Sequence, residues 1–250
     1  MKSSLRWIGL VLLAALALQL YFVGRIALMT VVDPQSTAFE RSEAWRVVND
    51  KGRLPWRQQW VGYASISDNL KRAVIASEDG DFINHDGVDW EALEKAWQKN
   101  AKAQERVEKQ IAAAAARAKP PAKLPKPPKV IGGSTITQQL AKNLFLSGER
   151  TLMRKGQEIV LTFALETLLS KERILEIYLN NVEWGEGVFG AEAAAQHYYR
   201  KPAARLSAYE AARLAVMLPR PKYFEKLPNS GYVADRANTI VARMGDAELP

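Results

Sequence analysis

The residues best suited to chemistry begin at position 78, in the stretch ASEDGDFINHDG that follows a short apolar run. Acidic and amide side chains surround one histidine there: Glu78, Asp79, Asp81, Asn84, Asp86 and His85. Such a cluster could bind a metal ion, form a polar turn or take a proton from a substrate. An EF-hand is excluded, because the fifth position of the loop falls on Ile83 or His85 and no Glu stands at the twelfth position. Zinc is disfavoured as well, since the chain has no cysteine and only one other histidine, His197.

A second candidate is the segment GGSTITQQLAKN at positions 132–143. Thr135 followed by Gln138 has the spacing of a capping box, which predicts a helix start directly behind two glycines. Free N–H groups at that helix start, with Lys142 and Asn143 two turns later, suit an anion, most naturally a phosphate. The segment is not a P-loop. A well-capped helix after a turn explains it equally well.

A third candidate combines Arg150 with the sequence RKGQE. Arg154 and Glu158 are four residues apart and Lys155 and Glu158 three, so one helical face carries two cations and an acid. A surface ion pair is the simplest explanation. Because this is the second segment suited to anion binding within a short stretch of sequence, a functional role is favoured over a simple surface ion pair.

The elements that position these residues are predicted to be helices. Caps are expected at Asp68, Asp89, Thr135, Ser170 and Ser207, each before a run with helical apolar spacing. The first of these helices would end at Glu78, with Phe82 in the core. No alternating run typical of a strand is found, so the class is predicted to be mainly α.

The amino terminus predicts a membrane anchor. Residues 7–24 carry no charge and follow Lys2 and Arg6, which nearly matches the roughly 20 residues of a spanning helix. The basic flank predicts a cytoplasmic amino terminus and a domain outside the membrane. Cleavage after Ala17 as a signal peptide is the alternative, but it would leave an apolar start, so a retained anchor is favoured.

The net charge of +8 is concentrated in one region. Residues 98–130 hold nine Lys or Arg against two Glu, and five prolines lie between 120 and 128. The rest is close to neutral, so nucleic acid is not expected as a partner. A charged helix that projects into solvent and ends in an extended linker is predicted; contact with anionic lipid is the alternative.

Together these motifs resemble the peptidoglycan glycosyltransferases of glycosyltransferase family 51, the domain also found in class A penicillin-binding proteins. The matching stretches are EDGDFINHDG from 78, GGSTITQQLAKN from 132, RKGQE from 154, and ILEIYLNNVEWG from 174 with FG at 189–190. They cover about residues 60–225 in the family's order. The run at about 100–130 looks longer than is usual in the family, and Thr162 stands where a small residue is common.

The resemblance implies a lysozyme-like glycosyltransferase fold with a smaller membrane-facing lobe. We expect residues 1–29 to be a cytoplasmic tip and transmembrane anchor, 30–66 a periplasmic tether and interfacial segment, and 67–250 the glycosyltransferase domain with a basic, Pro-rich insertion. Nothing up to Pro250 resembles a transpeptidase, so a monofunctional enzyme of the bacterial inner membrane is expected. Its partners would be lipid II, the growing glycan chain, membrane lipid and division or wall-synthesis proteins.

The resemblance also implies roles for individual residues. Glu78 is expected to be the general base that deprotonates the acceptor's 4-hydroxyl, with Glu158 in a supporting catalytic role. Contacts to the donor, its phosphates or the cleft are expected from the other matched positions: Ser134, Thr135, Gln138, Gln139, Lys142, Asn143, Arg150, Arg154 and Lys155. No tightly bound cofactor is expected. A Mg²⁺ or Mn²⁺ ion that binds together with the diphosphate is an alternative that the sequence leaves open. Asp79 would either assist that ion or hold the loop. His85 is expected to have a structural role.

These residue types fit transfer from a diphosphate. Such a leaving group needs cations or helix N–H groups, whereas a glycosidase needs a protonated acid beside a second carboxylate. An active site with one carboxylate base near a cluster of basic side chains is therefore expected. The apolar end of its helix should raise the pKa of Glu78. A lytic hydrolase and a non-catalytic membrane scaffold are the competing hypotheses.

Overall fold

The computed structural model describes residues 2–115, 132–146, 148–149 and 151–250, and helices dominate them. The predicted mainly α class is confirmed. The helices are α1 Lys2–Leu28, α2 Ala38–Lys51, α3 Asp68–Glu78, α4 Trp90–Ala115, α5 Ile136–Phe145, α6 Leu152–Leu168, α7 Lys171–Asn181, α8 Ala191–Tyr199, α9 Ala208–Met217, α10 Pro221–Phe224 and α11 Gly231–Arg243. The strands are β1 Arg57–Gln58, β2 Glu183–Gly185 and β3 Val188–Phe189.

The predicted helix starts are confirmed with one shift. Thr135 and Ser207 form complete capping boxes, Ser170 caps α7, and the Asp89 carboxylate accepts from the Ala92 N–H at 2.7 Å. The cap of α3 is Ser67, one residue before the predicted Asp68. Both side chains are good caps, so local sequence alone did not separate them.

The chain divides into two compact units: Met1–Gly87 with Thr135–Pro250, and Val88–Ser134. The smaller unit consists mainly of α4, whose far half is largely exposed over its described side chains, as predicted. Residues 116–131, which hold the predicted Pro-rich linker, lie outside the described part of the chain. In this unit the Gly133 backbone passes so close to α4 that an added Cβ would lie 3.2 Å from the Leu93 Cα.

The core of the larger unit is built around α3, α5, α7 and α9. The inward residues predicted for α3 and α7 are all buried: Leu70, Val74, Ile75, Ile174, Leu175, Tyr178 and Leu179. Phe82, predicted to be core, is fully buried. Trp184 is also fully buried, and its indole N–H donates to the Leu214 carbonyl at 3.1 Å.

Two features of the larger unit were not predicted. Residues 30–66 contain α2 and β1, and β1 joins a small sheet of order β1–β3–β2, in which β3 is parallel to β1 and antiparallel to β2. The strands are only two or three residues long, so no alternating pattern could reveal them. The second feature is α11, which packs against α3 and α9.

Candidate active site

Glu78 is the last residue of α3 and lies half-buried beside α5. Its Oε2 accepts from the Gln139 amide at 3.0 Å, and the Tyr178 hydroxyl donates to the Gln139 Oε1 at 3.0 Å. Burial raises the pKa of Glu78, while the hydrogen bonds from Gln139 and Ser77 act in the opposite direction. The predicted direction of this pKa shift is therefore confirmed, with burial as its main cause.

The residues behind Glu78 hold the loop. Asp79 is buried, and its two carboxylate oxygens accept from the His85 Nε2 at 2.8 Å and from the Ile136 N–H at 2.9 Å. The Gly87 N–H donates to the other ring nitrogen of His85 at 3.1 Å. Asp79 thus ties the loop after α3 to the start of α5, and each of its carboxylate oxygens accepts a hydrogen bond from the protein.

No metal cluster is found in the described ranges: no group of three or more His, Asp or Glu side chains there is placed to hold an ion. Asp79 fits the loop-holding alternative, because both of its oxygens have protein partners. A divalent ion carried by the substrate diphosphate stays a prediction from the sequence.

The helix α5 contributes a cap and a cation. Thr135 and Gln138 are buried and bond to each other's backbone N–H groups, and the Thr135 hydroxyl also donates to the Gly87 carbonyl at 2.6 Å. Both side chains are engaged in capping the helix. Their direct contact with substrate stays a prediction. Asn143 is half-buried on α5, and Ser134 is exposed in the smaller unit.

Lys142 lies on α5 among the charges of α6. Its side chain is accessible to solvent, yet the protein around its ammonium group partly desolvates it and lowers its pKa. Glu158 opposes that shift, whereas Arg154 and Lys155 add to it. Glu78 also lies close enough to act against the lowered pKa of Lys142, so its carboxylate is near the basic side chains of α5 and α6.

Glu158 organises the cations of α6. It is buried, accepts from the Arg154 guanidinium at 3.0 Å and pairs with the Lys155 ammonium. The Nε of Arg154 is buried and has no hydrogen-bond partner among the described residues. Glu158 therefore orients two cations, one of which retains an unused donor. Arg150 lies outside the described residues.

Two residues near Glu78 were not singled out from the sequence. Tyr178 was predicted only as an inward residue, but it holds Gln139, which bonds to the carboxylate. Arg236 on α11 lies close enough to lower the pKa of Glu78. No sequence signal pointed to Arg236, because the packing of α11 on α3 is a long-range contact.

The fold and the site define an enzyme class that comparison with known proteins identifies. The sequence model of the Transglycosylase family matches residues 48–245, and the chain belongs to that family. The predicted family and class of enzyme are therefore confirmed.

Relatives extend the match over the full chain. A protein of Burkholderia thailandensis named "Biosynthetic peptidoglycan transglycosylase" is 55% identical over 253 residues, covering 100% of this chain and 90% of its own length. Proteins of the same name in Burkholderia pseudomallei and Paraburkholderia phytofirmans are 53% and 50% identical, over 100% and 99% of this chain. These alignments include the amino-terminal helix.

That helix is the one candidate membrane span among the described residues. Ser4–Leu28 forms 25 residues with a mean hydropathy of 2.1, long and apolar enough to cross a membrane. This finding is consistent with membrane anchoring.

Proposed function

We propose that this chain polymerises lipid II into β-1,4-linked glycan strands, with Glu78 as the general base. The observation that carries the proposal is the half-buried carboxylate of Glu78, which is hydrogen-bonded to Gln139 of α5 and lies near Lys142 and, through it, the cations of α6. The family and the names of the relatives supply the reaction class. Glu78 and the nearby cations supply the base and the positive charge that this reaction needs.

In this mechanism the acceptor's 4-hydroxyl loses its proton to Glu78 as its oxygen attacks the anomeric carbon of the donor sugar. The bond to the diphosphate breaks on the opposite face, so the configuration at that carbon inverts. A base with a pKa moved toward neutrality contributes roughly 10²–10⁴-fold to the rate. Gln139 keeps the carboxylate oriented.

Lys142, Arg154 and Lys155 take up the charge of the departing diphosphate, with Arg150, Ser134 and Asn143 as further predicted donor contacts. Cations placed before the reaction stabilise developing charge without reorganisation. Glu158 acts by holding Arg154 and Lys155 in place.

A lytic hydrolase fits this site less well. A glycosidase uses two carboxyl groups on either side of the scissile bond. Asp79 has both oxygens bonded in the loop, and Glu158 is paired with two cations. Asp79 and Glu158 are therefore both engaged in contacts within the protein.

For the membrane, we propose a single-pass arrangement with a cytoplasmic amino terminus, the catalytic domain in the periplasm and membrane lipid as a partner. Lys2 and Arg6 support this orientation, because positive flanks stay in the cytoplasm. Proteins of division or wall synthesis, and the absence of a transpeptidase activity, stay predictions from the sequence.

The test uses the purified full chain with lipid II, and its glycan products are resolved on gels with and without Mg²⁺. Glu78→Gln should lose polymerisation by about 10²-fold or more while unfolding at a similar temperature. The matched control is Glu172→Gln, at an exposed position on α7, which should polymerise normally. Polymerisation by folded Glu78→Gln would refute the base assignment, and release of fragments from finished peptidoglycan would favour the hydrolase.

A further inference from the structure

An aromatic cluster lies at the surface where α10 is followed by α11. The ring of Phe224 is buried and contacts two tyrosines: Tyr232 is stacked on it at 5.7 Å with an interplanar angle of 3°, and Tyr223 meets it edge-on at 5.2 Å. Tyr232 and Tyr223 are 58% and 48% exposed. Since Phe224 lies against one face of the Tyr232 ring and the side chain is more than half exposed, the other face of that ring is open to solvent.

The direction of α11 places this cluster relative to the catalytic base. The helix packs against α3, and the Ala247 carbonyl, just beyond its end, accepts a hydrogen bond from the Arg72 guanidinium in the middle of α3. Arg236, in the middle of α11, lies near Glu78 at the end of α3. The two helices therefore run in opposite directions. The start of α11 extends past Glu78, beyond the point at which α3 ends.

Tyr232 stands on the same face of α11 as the arginine that lies near the base. It precedes Arg236 by four residues, so the two side chains are neighbours on the helix surface, about 6 Å apart along its axis. The Arg236 side chain is exposed, and within the described ranges its guanidinium forms no hydrogen bond or ion pair. An aromatic ring with one open face thus lies beside a cation that is accessible to a ligand.

The chemistry of this cluster fits a sugar strand. A pyranose ring has a face made mostly of C–H groups, which packs on an aromatic ring, while its hydroxyl groups bond to polar neighbours such as a tyrosine hydroxyl. The muramic acid units of a peptidoglycan strand also carry peptides with free carboxylates, which guanidinium groups bind. Arg220, whose guanidinium lies 4.7 Å from the centre of the Tyr223 ring, adds a second cation to the cluster.

The position of the other cations indicates which part of the substrate lies here. A donor whose diphosphate is bound by Lys142 and Arg154 has its reacting sugar at Glu78, so its remaining sugars lead away from α5 and α6. Gln139 of α5 and Arg236 of α11 approach the Glu78 carboxylate from different helices. The sugars that precede the reacting unit of the donor therefore lead toward the start of α11.

We propose that the exposed start of α11 binds the growing glycan strand, at the sugars beyond the reacting disaccharide. Tyr232 is the central contact of this glycan surface, and Tyr223, Arg220 and Arg236 are its other members. The surface retains the strand between additions, so that its affinity sets how long a strand becomes before release. The inference rests on the proposed function and adds to it a site that determines product length.

The first test compares strand length with the rate of the first coupling, in which two lipid II molecules join. In the full chain, Tyr232→Ala should shorten the mean strand by roughly 2–10-fold, the effect of losing one aromatic contact. The first coupling should keep its wild-type rate, because neither substrate extends beyond a disaccharide. Gels of labelled lipid II products measure both quantities. Strands of wild-type length, or an equal loss in the first coupling, would overturn the proposal.

Three further variants serve as controls for this comparison. Tyr232→Phe keeps the ring and should keep strands near their wild-type length. Val241→Ala, at an exposed position near the far end of α11, should change neither quantity. Tyr223→Ala leaves the stack of Tyr232 on Phe224 in place and should also shorten the strands, so it gives the answer if Tyr232→Ala does not fold. Thermal unfolding in detergent checks the folding of each variant.

A binding measurement separates the glycan surface from the catalytic proposal on which it rests. Soluble, lipid-free peptidoglycan strands that keep their peptides are titrated against the full chain, and saturation-transfer NMR reports the bound sugars. Tyr232→Ala should weaken this binding by roughly 2–10-fold. A wild-type chain that binds the strands without polymerising lipid II would refute the proposed function alone. A chain that polymerises lipid II, but binds the strands equally well after Tyr232→Ala, would overturn the glycan surface alone.

Discussion

At the scale of single residues, the site depends on side chains that orient other side chains through hydrogen bonds. Gln139 gives its amide to Glu78 and its carbonyl to Tyr178, so the orientation of the base is set by a buried hydroxyl. Asp79, one residue later in the chain, is bonded entirely to protein. The two adjacent carboxylates thus differ in environment, because Glu78 is partly exposed whereas Asp79 is buried and bonded to the protein.

We expect Gln139→Met to shift the pH dependence of polymerisation. The amide of Gln139 stabilises the carboxylate of Glu78 and lowers its pKa, so its loss should raise that pKa further. Because the base must be deprotonated, the rising limb of the pH–rate profile should move to higher pH. Tyr178→Phe should give a smaller shift in the same direction, and an unmoved limb in both variants would contradict this arrangement.

We expect Asp79→Asn to cost stability without changing metal dependence. The carboxylate of Asp79 accepts hydrogen bonds from two donors. In the variant the NH₂ group of asparagine would face one of these donors and leave it without an acceptor, so the free energy of unfolding should fall by about 2–3 kcal/mol. Urea unfolding in detergent measures the loss. A shift in the Mg²⁺ concentration for half-maximal polymerisation would instead indicate that Asp79 binds the ion.

At the scale of elements, close contacts between segments explain why certain residues stand at positions that no motif accounts for. Gly87 has φ +86°, and an added Cβ would lie 2.5 Å from the Thr162 Cγ2 on α6. Thr162, noted as unusual for the family, is fully buried and accommodated by this glycine. The loop that carries His85 is thereby packed directly on the helix that carries Glu158.

Gly87→Ala should lower the free energy of unfolding by about 2–4 kcal/mol, through the positive φ and the overlap with Thr162. Gly80→Ala in the same loop is the control, because its Cβ would meet no atom within 4 Å. Adding Thr162→Ser to Gly87→Ala should recover part of the loss. Equal effects at both glycines would show that the packing argument is wrong.

Glu183 on β2 should make stability depend on pH. Burial raises its pKa to about 7, with Lys222 of α10 and Arg46 of α2 opposing that shift and Glu43 of α2 adding to it. A carboxyl with a raised pKa favours folding in its protonated form, so its contribution is complete below about pH 4.5 and is lost as pH rises through 7.

Glu183→Gln removes that ionisation. The unfolding temperature of the wild type relative to the variant should fall between pH 5 and pH 8, equivalent to at most about 3 kcal/mol. Thermal unfolding of both proteins in detergent across this range provides the measurement. Parallel curves would indicate that Glu183 does not titrate in the window.

At the scale of the whole molecule, the anchor and the catalytic unit share a core. Ile26 and Met29 belong to the same hydrophobic cluster as Leu70 and Leu165, although they end the predicted anchor. Likewise, α2 and β1 form part of the larger unit, although they lie in the predicted tether. The division at residues 29 and 66 stays a prediction about function, while packing continues across both positions.

Truncation should reveal this shared core. Deleting residues 1–18 should leave the free energy of unfolding nearly unchanged, because those side chains are exposed wherever the structure describes them. Deleting residues 1–29 should cost about 3–6 kcal/mol, since it removes the buried Ile26 and Met29. Urea unfolding of both truncations in the same detergent tests this, and equal stabilities would contradict a shared core.

The sequence by itself determined the family, the helical class, the cap positions within one residue and the candidacy of Glu78, Lys142 and Glu158. These features are local, since periodicity, capping spacing and motifs are all written within a few turns of chain. Only the tertiary structure decided that Asp79 is occupied, that Tyr178 and Arg236 bear on the base, and that α11 and the small sheet exist. Each of these depends on contacts between residues far apart in sequence, whose partners no local pattern specifies.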